Sequence, residues 1–147
     1  MSDDNDIVCA ARRWIGTPYV HQASVRGGGT DCLGLLRGIW RELIGEEPVP
    51  MPAYTPDWAE PQQEEVLWTA ARTYLRELPH SAPLAGQVIL FRMKDGGIAK
   101  HLGVVSRSGM KASFIHAYGG HGVVESALTE PWSRRIVAQF EFPKRRS

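Results

Sequence analysis

GGGTDCLGLLRGIW, residues 27–40, sets one of the chain's two cysteines between a glycine run and an apolar pattern at helical spacing. Leu33, Leu36, Ile39, Trp40 and Leu43 recur as the stripe of an amphipathic helix, which predicts a helix over 32–44 with Gly45 capping its end. Cys32 is its first residue. The unpaired N–H groups of a first turn favour negative charge, and the thiolate is the nucleophilic form of cysteine. The glycines in front let backbone and substrate approach closely. Two readings are open here: a nucleophile activated at a helix start, and a buried cysteine that merely begins a helix.

Toward the N-terminus, Ile7, Ala10, Ala11 and Trp14 keep the helical period after several capping oxygens, so a helix is expected over 4–15, ended by Gly16 and Pro18. Cys9 then reads as a small core or half-buried residue. TPYVHQASVRGGGTD (17–31) reads as a loop. Beyond the central helix, EEPVPMPAYTP (46–56) holds four prolines in eleven residues, too many for helix or central strand. It reads as an extended crossing. Val66, Leu67, Ala70, Ala71, Tyr74, Leu75 and Leu78 predict a third helix over 60–78, stopped by Pro79. From Gly86 the period becomes that of strands: GQVILFRM, HLGVVSR, ASFIHAY, GVVESAL and RRIVAQFEF, the first four separated by KDGG, RSGMK and YGGHG. Helices followed by an antiparallel meander make an α+β arrangement.

At 147 residues the chain is expected to be a single domain over 1–147, with 43% apolar residues to fill its core. A net charge of +1 gives no bulk attraction to nucleic acid or membranes, and Lys144–Arg146 read as a solvated terminus. Two cysteines are too few for a disulfide framework and lack zinc spacing. The acidic start has no secretory signal pattern, and no apolar run reaches the ~20 residues of a membrane span. Synthesis in the cytoplasm is expected, with no membrane insertion.

A cysteine nucleophile needs a base within reach and a group that orients the base. His101 opens HLGVV and His116 lies in FIHAY on the next strand, so an antiparallel hairpin brings the two toward one another. His80 and His121 read as exposed loop and turn residues. No metal site is expected.

GTDCLGLL resembles the nucleophile motif of the NlpC family of bacterial cell-wall cysteine peptidases, papain-like in fold, in which Asp-Cys-Ser-Gly opens a long helix. GTPYV, AGQVILF, KHLGVV and FIHA are similar to four further segments of that family, in family order over residues 16–117. The wording of PYVHQASVRGGGTDCLGLLRGIWREL, PAYTPDWAE and LFRMKDGGIAKHLGVV looks closer to one branch, the phage cell-wall peptidases encoded with tail genes, including those of gene transfer agents. The resemblance implies a papain-like fold, with N-terminal helices packed on a C-terminal antiparallel sheet. It also implies a peptidoglycan endopeptidase that cuts stem peptides between D-glutamate and diaminopimelate, without a cofactor. Cys32 matches the nucleophile, His101 the base, His116 the orienting residue and Tyr19 the tyrosine near the oxyanion. Asp31 matches the residue before the nucleophile, as helix cap or as binder of a substrate amine. His21, two residues beyond Tyr19, reads as a wall of the cleft.

Leu33 stands where the family has serine, VHQAS where it has an aromatic-Gly-Gly run, and Gln87 where it has aspartate. The triad is untouched by these departures. The branch further implies a phage-like tail or baseplate protein as partner, incorporation into a particle, and action in the periplasm or cell wall. Two other readings remain: a non-catalytic tail adaptor of the same fold, and an acyltransferase or amidase on the same Cys-His scaffold.

Overall fold

The computed structural model describes residues 3–48, 54 and 65–143. The proline-rich crossing, apart from its first residues and Tyr54, lies outside them, as do the first residues expected for the third helix and the basic tail. The elements run α1 (Asp3–Arg12), β1 (Ser24–Val25), β2 (Gly29–Thr30), α2 (Cys32–Leu43), α3 (Val66–Tyr74), β3 (Arg76–Leu78), β4 (Val88–Arg92), β5 (Ala99–Arg107), β6 (Ser113–Tyr118), β7 (Gly122–Ala127), α4 (Glu130–Ser133) and β8 (Ile136–Glu141). Six strands form one antiparallel sheet in the order β3-β8-β4-β5-β6-β7. The α+β expectation holds.

Side chains alternate across this sheet. On one face Val88, Leu90, Leu102, Val104, Ile115, Ala117 and Phe140 join the buried stripes of α1, α2 and α3 in the main core. On the other, Ile89, Phe91, Val105 and Phe114 form a second cluster, roofed by Trp132 from α4 and by Leu128 and Ile136. β4 explains the one departure from a simple meander. Its run Val88-Ile89-Leu90-Phe91 is fully buried on both faces, so both its edges need partners. β8 supplies the second, pairing Val88↔Phe140 and Leu90↔Ala138, instead of lying beside β7.

Two helix ends and the placement of Cys9 also differ from the sequence reading. α1 ends at Arg12, and residues 13–16 form turns closed by Trp14 N–H to the Ala11 carbonyl. Cys9 is exposed, not in the core. α3 stops at Tyr74: Leu75 is extended, and Arg76–Leu78 pair with β8 at Arg76↔Glu141 and Leu78↔Gln139. The apolar spacing of YLREL suits a helix or an edge strand equally, and backbone pairing with β8 decides for the strand.

The stretch read as a loop before α2 contains the β1–β2 hairpin, paired Ser24↔Thr30 and Val25↔Gly29. It packs so tightly on the first turn of α2 that a Cβ on Gly34 would stand 2.0 Å from the Ala23 carbonyl oxygen and 2.5 Å from Thr30 Oγ1. A glycine-to-alanine change inside a helix ordinarily stabilises by up to ~1 kcal/mol. Here Gly34→Ala is expected to destabilise by about 1–3 kcal/mol, because the obstacle is backbone. Urea denaturation of the two proteins measures the sign.

Candidate active site

α2 begins at Cys32 because Asp31 caps it. The Asp31 backbone is extended, and its Oδ1 accepts from the Gly34 N–H at 2.7 Å. Oδ2 accepts from the Gln22 N–H at 2.7 Å and from the Tyr54 hydroxyl. Asp31 is 1% exposed and fully engaged. Tyr54 is the described residue of the proline-rich crossing that docks here, and its carbonyl meets His21 Nε2 at 2.9 Å and Gln22 Nε2 at 2.6 Å. Burial, then the hydrogen bond to Asp31, push its phenol well above the usual range. His21 packs edge-on against the Tyr54 ring, with Nδ1 3.8 Å from Asp31 Oδ2. Asp31 and His21 therefore belong to one polar cluster immediately before Cys32.

The GTPYV segment is tied on both sides. Gly16 N–H donates to the Val123 carbonyl and Val123 N–H to the Thr17 carbonyl, while Thr30 N–H donates to the Pro18 carbonyl. This lays Tyr19 beside Thr30 in an isolated bridge. Its phenol is pushed up to about 12, first by burial and then by the negative charge that Cys32 and Asp31 would place beside it. Tyr19 thus lies within electrostatic reach of Cys32 and Asp31.

Cys32 is 2% exposed. The backbone N–H groups of Leu102, Leu33 and Cys32 itself lie against the thiol and stabilise its anion. Burial outweighs them, with the Asp31 charge adding to it, and the thiol is pushed up to about 12. The first-turn N–H groups do favour the anion, as the helix start suggests, but desolvation at this depth exceeds their pull.

The Leu102 contact places the thiol one residue from His101. The paired register of β5 with β6 begins at Val104↔Ile115, and the Leu102 N–H, facing the β6 side, meets Cys32 instead. By strand alternation His101, opposite Phe91, and His116, opposite Val124, stand on the face that carries the second cluster. Cys32 lies on the helical face, where its thiol meets the Leu102 backbone at the place where β5 and β6 part.

His101 Nε2 and His116 Nδ1 are 2.7 Å apart, and His116 Nε2 lies 2.8 Å from Ser126 Oγ. Phe91, Trp132 and Tyr118 surround the His101 ring. Burial first, then the neighbouring His116, lower His101 to about 3; burial and then His121 lower His116 to about 4. Gly103, between them on β5, has no room for a Cβ, which would stand 2.8 Å from the Phe114 ring and 3.2 Å from the His116 Cβ. His80 and His121 are exposed, the latter stacked on Tyr118 at 5.2 Å. Among the described residues no group of three or more His, Cys, Asp or Glu side chains is arranged to hold a metal ion. No helix among them is long and apolar enough to cross a membrane.

The depressed histidines make stability pH-dependent. Unfolded histidine titrates near 6.5, so below that value the unfolded chain binds protons that the folded chain refuses. The stability is fully present above pH 6.5 and falls as pH drops toward 4 and 3, by on the order of a few kcal/mol in all. Glu47 contributes in a different window. Burial raises it, but hydrogen bonds from Arg37, Tyr74 and Arg41 hold it down at about 2, so its contribution is lost only below the unfolded carboxylate range. Urea midpoints between pH 6.5 and 5 are expected to fall in the wild type and to fall less in His116→Gln; equal slopes would remove the assignment.

Sequence reasoning did not find Ser126, Trp132 or the docking of Tyr54. Ser126 reaches His116 from β7 through cross-strand register, Trp132 covers both histidines from a four-residue helix, and Tyr54 arrives from a distant segment. None leaves a periodic signal in the chain.

No protein-family model matches the chain, and no curated protein matches it in sequence. Solved structures match in fold. The NlpC/p60 domain of the peptidoglycan hydrolase SagA is 20% identical with a TM-score of 0.63, over 96% of this chain and 100% of that one. A protein described as similar to lipoprotein, of the NLP/P60 family, from Staphylococcus aureus subsp. aureus Mu50 is 17% identical with a TM-score of 0.60, over 98% of this chain and 43% of that one. An NlpC/P60 family protein from Bacillus cereus ATCC 10987 is 18% identical with a TM-score of 0.63, over 95% of this chain and 40% of that one. The chain thus spans less than half the length of the last two and matches the SagA domain end to end. The fold is the papain-like α+β fold of these domains.

Proposed function

We propose that the protein is a cysteine peptidase of the NlpC/P60 type that hydrolyses peptidoglycan stem peptides. One observation carries this reading: a buried thiol at a capped helix start meets the backbone of Leu102, the residue after a histidine whose Nε2 is engaged by a second histidine. That engagement leaves Nδ1 of His101 to serve the thiol. Cys32 Sγ attacks the amide carbonyl as its proton passes to His101 Nδ1. The oxyanion takes hydrogen bonds from the Cys32 N–H and the Tyr19 hydroxyl. The imidazolium of His101 gives its proton to the departing amine, leaving a thioester. Water then attacks the thioester, giving a proton to His101, which returns it to the leaving sulfur. His116 orients His101 throughout. Desolvation penalises thiolate and imidazolium separately, but the transfer makes them side by side, where attraction in a low-dielectric site offsets much of that cost.

The bond we assign is that between D-glutamate and diaminopimelate, and the route to the wall is a phage-like tail or baseplate that carries the protein to the periplasm or cell wall. Both rest on the resemblance of the chain's motifs to the tail-encoded branch. Mass spectrometry of defined stem peptides after incubation with the protein tests the chemistry. Fragments ending in D-glutamate are expected, and intact peptides would reject the reading. Proteomics of purified particles tests the delivery route separately, with the protein expected at low copy number and its absence overturning that route alone.

A further inference from the structure

We propose that Ser126 is a positioning residue that holds the two histidines in the one proton arrangement that leaves His101 Nδ1 bare; this rests on the peptidase reading. The two contacts in line, His101 Nε2 to His116 Nδ1 at 2.7 Å and His116 Nε2 to Ser126 Oγ at 2.8 Å, admit two arrangements. With both rings neutral, each has one N–H. If His101 carries its proton on Nε2 and donates to His116 Nδ1, then His116 carries its own on Nε2 and donates to Ser126 Oγ. His101 Nδ1 is then a lone pair able to take the thiol proton. If every proton is reversed, Ser126 donates to His116, His116 Nδ1–H donates to His101, and Nδ1 of His101 is already protonated. It then accepts nothing.

Ser126 selects between them by which role its hydroxyl takes. It lines a surface cavity of about 640 Å³ together with Arg107, Lys111 and Thr129. Its own O–H can turn toward solvent there, which leaves an oxygen lone pair for the His116 N–H. Ring rotation offers no alternative. His116 is 1% exposed and wedged against Phe114 at 4.2 Å and Tyr118 and Trp132 at 5.4 Å. The proton position is the free variable, and the hydrogen bond on the other nitrogen sets it.

Ring-nitrogen NMR of ¹⁵N-histidine-labelled wild type, Ser126→Ala and Ser126→Thr, with stem-peptide kinetics on the same samples, tests this. In the wild type both histidines are expected to be protonated at Nε2. Ser126→Ala is expected to give mixed tautomers and to lower kcat at unchanged KM by the fraction of molecules held in the reversed arrangement, about twofold when the loss of one hydrogen bond's worth of bias leaves an even mixture. Ser126→Thr, which keeps the hydroxyl, restores both. Protonation of His116 at Nδ1 in the wild type overturns the proposal, as does a Ser126→Ala protein unchanged in tautomer or in kcat. If the wild type cleaves no stem peptide, the peptidase reading falls, and the ring-nitrogen spectra still decide the role of Ser126.

Discussion

Cys32→Ala is expected to abolish stem-peptide hydrolysis while leaving a folded protein. The sulfur is the one group at the α2 start that can form the acyl intermediate, since Asp31 beside it is committed to Gly34, Gln22 and Tyr54. The structural cost is small. Alanine fills most of the buried volume but removes the sulfur that the Leu102 N–H meets, a loss of about 1–3 kcal/mol. Product analysis by mass spectrometry alongside a thermal melt separates the two effects. Hydrolysis retained in Cys32→Ala would sink the mechanism. Cys9, exposed on α1, is expected to be replaceable without effect.

His101→Ala is expected to reduce the rate by on the order of 10² to 10⁴ through loss of the base. Its ring is packed among Phe91, Tyr118 and Trp132, so alanine also opens a cavity, and His101→Gln keeps more of the volume and isolates the chemical loss. His116→Gln retains a polar partner for His101 and should cost less than His116→Ala. The pH profile adds a sign. Because burial lowers His101 to about 3, it stays neutral and able to accept a proton far below 6.5, so the acid limb of kcat/KM is expected well below the ordinary histidine range. A limb centred near 6.5 that vanishes in His101→Gln would show the histidine to be solvated in the working enzyme and contradict the buried site.

Much of this was readable in the chain because it is local. The period-3.6 stripe of 32–44 and the strand runs from Gly86 onward translate directly into α2 and the sheet, and Asp31 one residue before a helix start is a cap by residue type alone. The hairpin brings His101 and His116 together and the helix start sets the Cys32 thiol against the Leu102 backbone, in the order of the motifs along the chain. What was not legible depends on distant partners. β8 chooses β4 over β7 because the both-face burial of Val88–Phe91 demands a neighbour on each side. Arg76–Leu78 become a strand only because β8 lies beside them. The raised thiol follows from depth of burial, which a pattern around Cys32 cannot report, and Ser126 depends on a cross-strand register.

Covalent capture tests the central claim most directly. A stem peptide carrying a vinyl sulfone in place of the scissile amide is incubated with the folded protein, and the adduct is mapped by mass spectrometry after digestion. One adduct is expected, on Cys32, slowed strongly in His101→Gln and absent in Cys32→Ala. Labelling of Cys9 instead, or equal labelling of both cysteines with no dependence on His101, would contradict the assignment of Cys32 as the nucleophile.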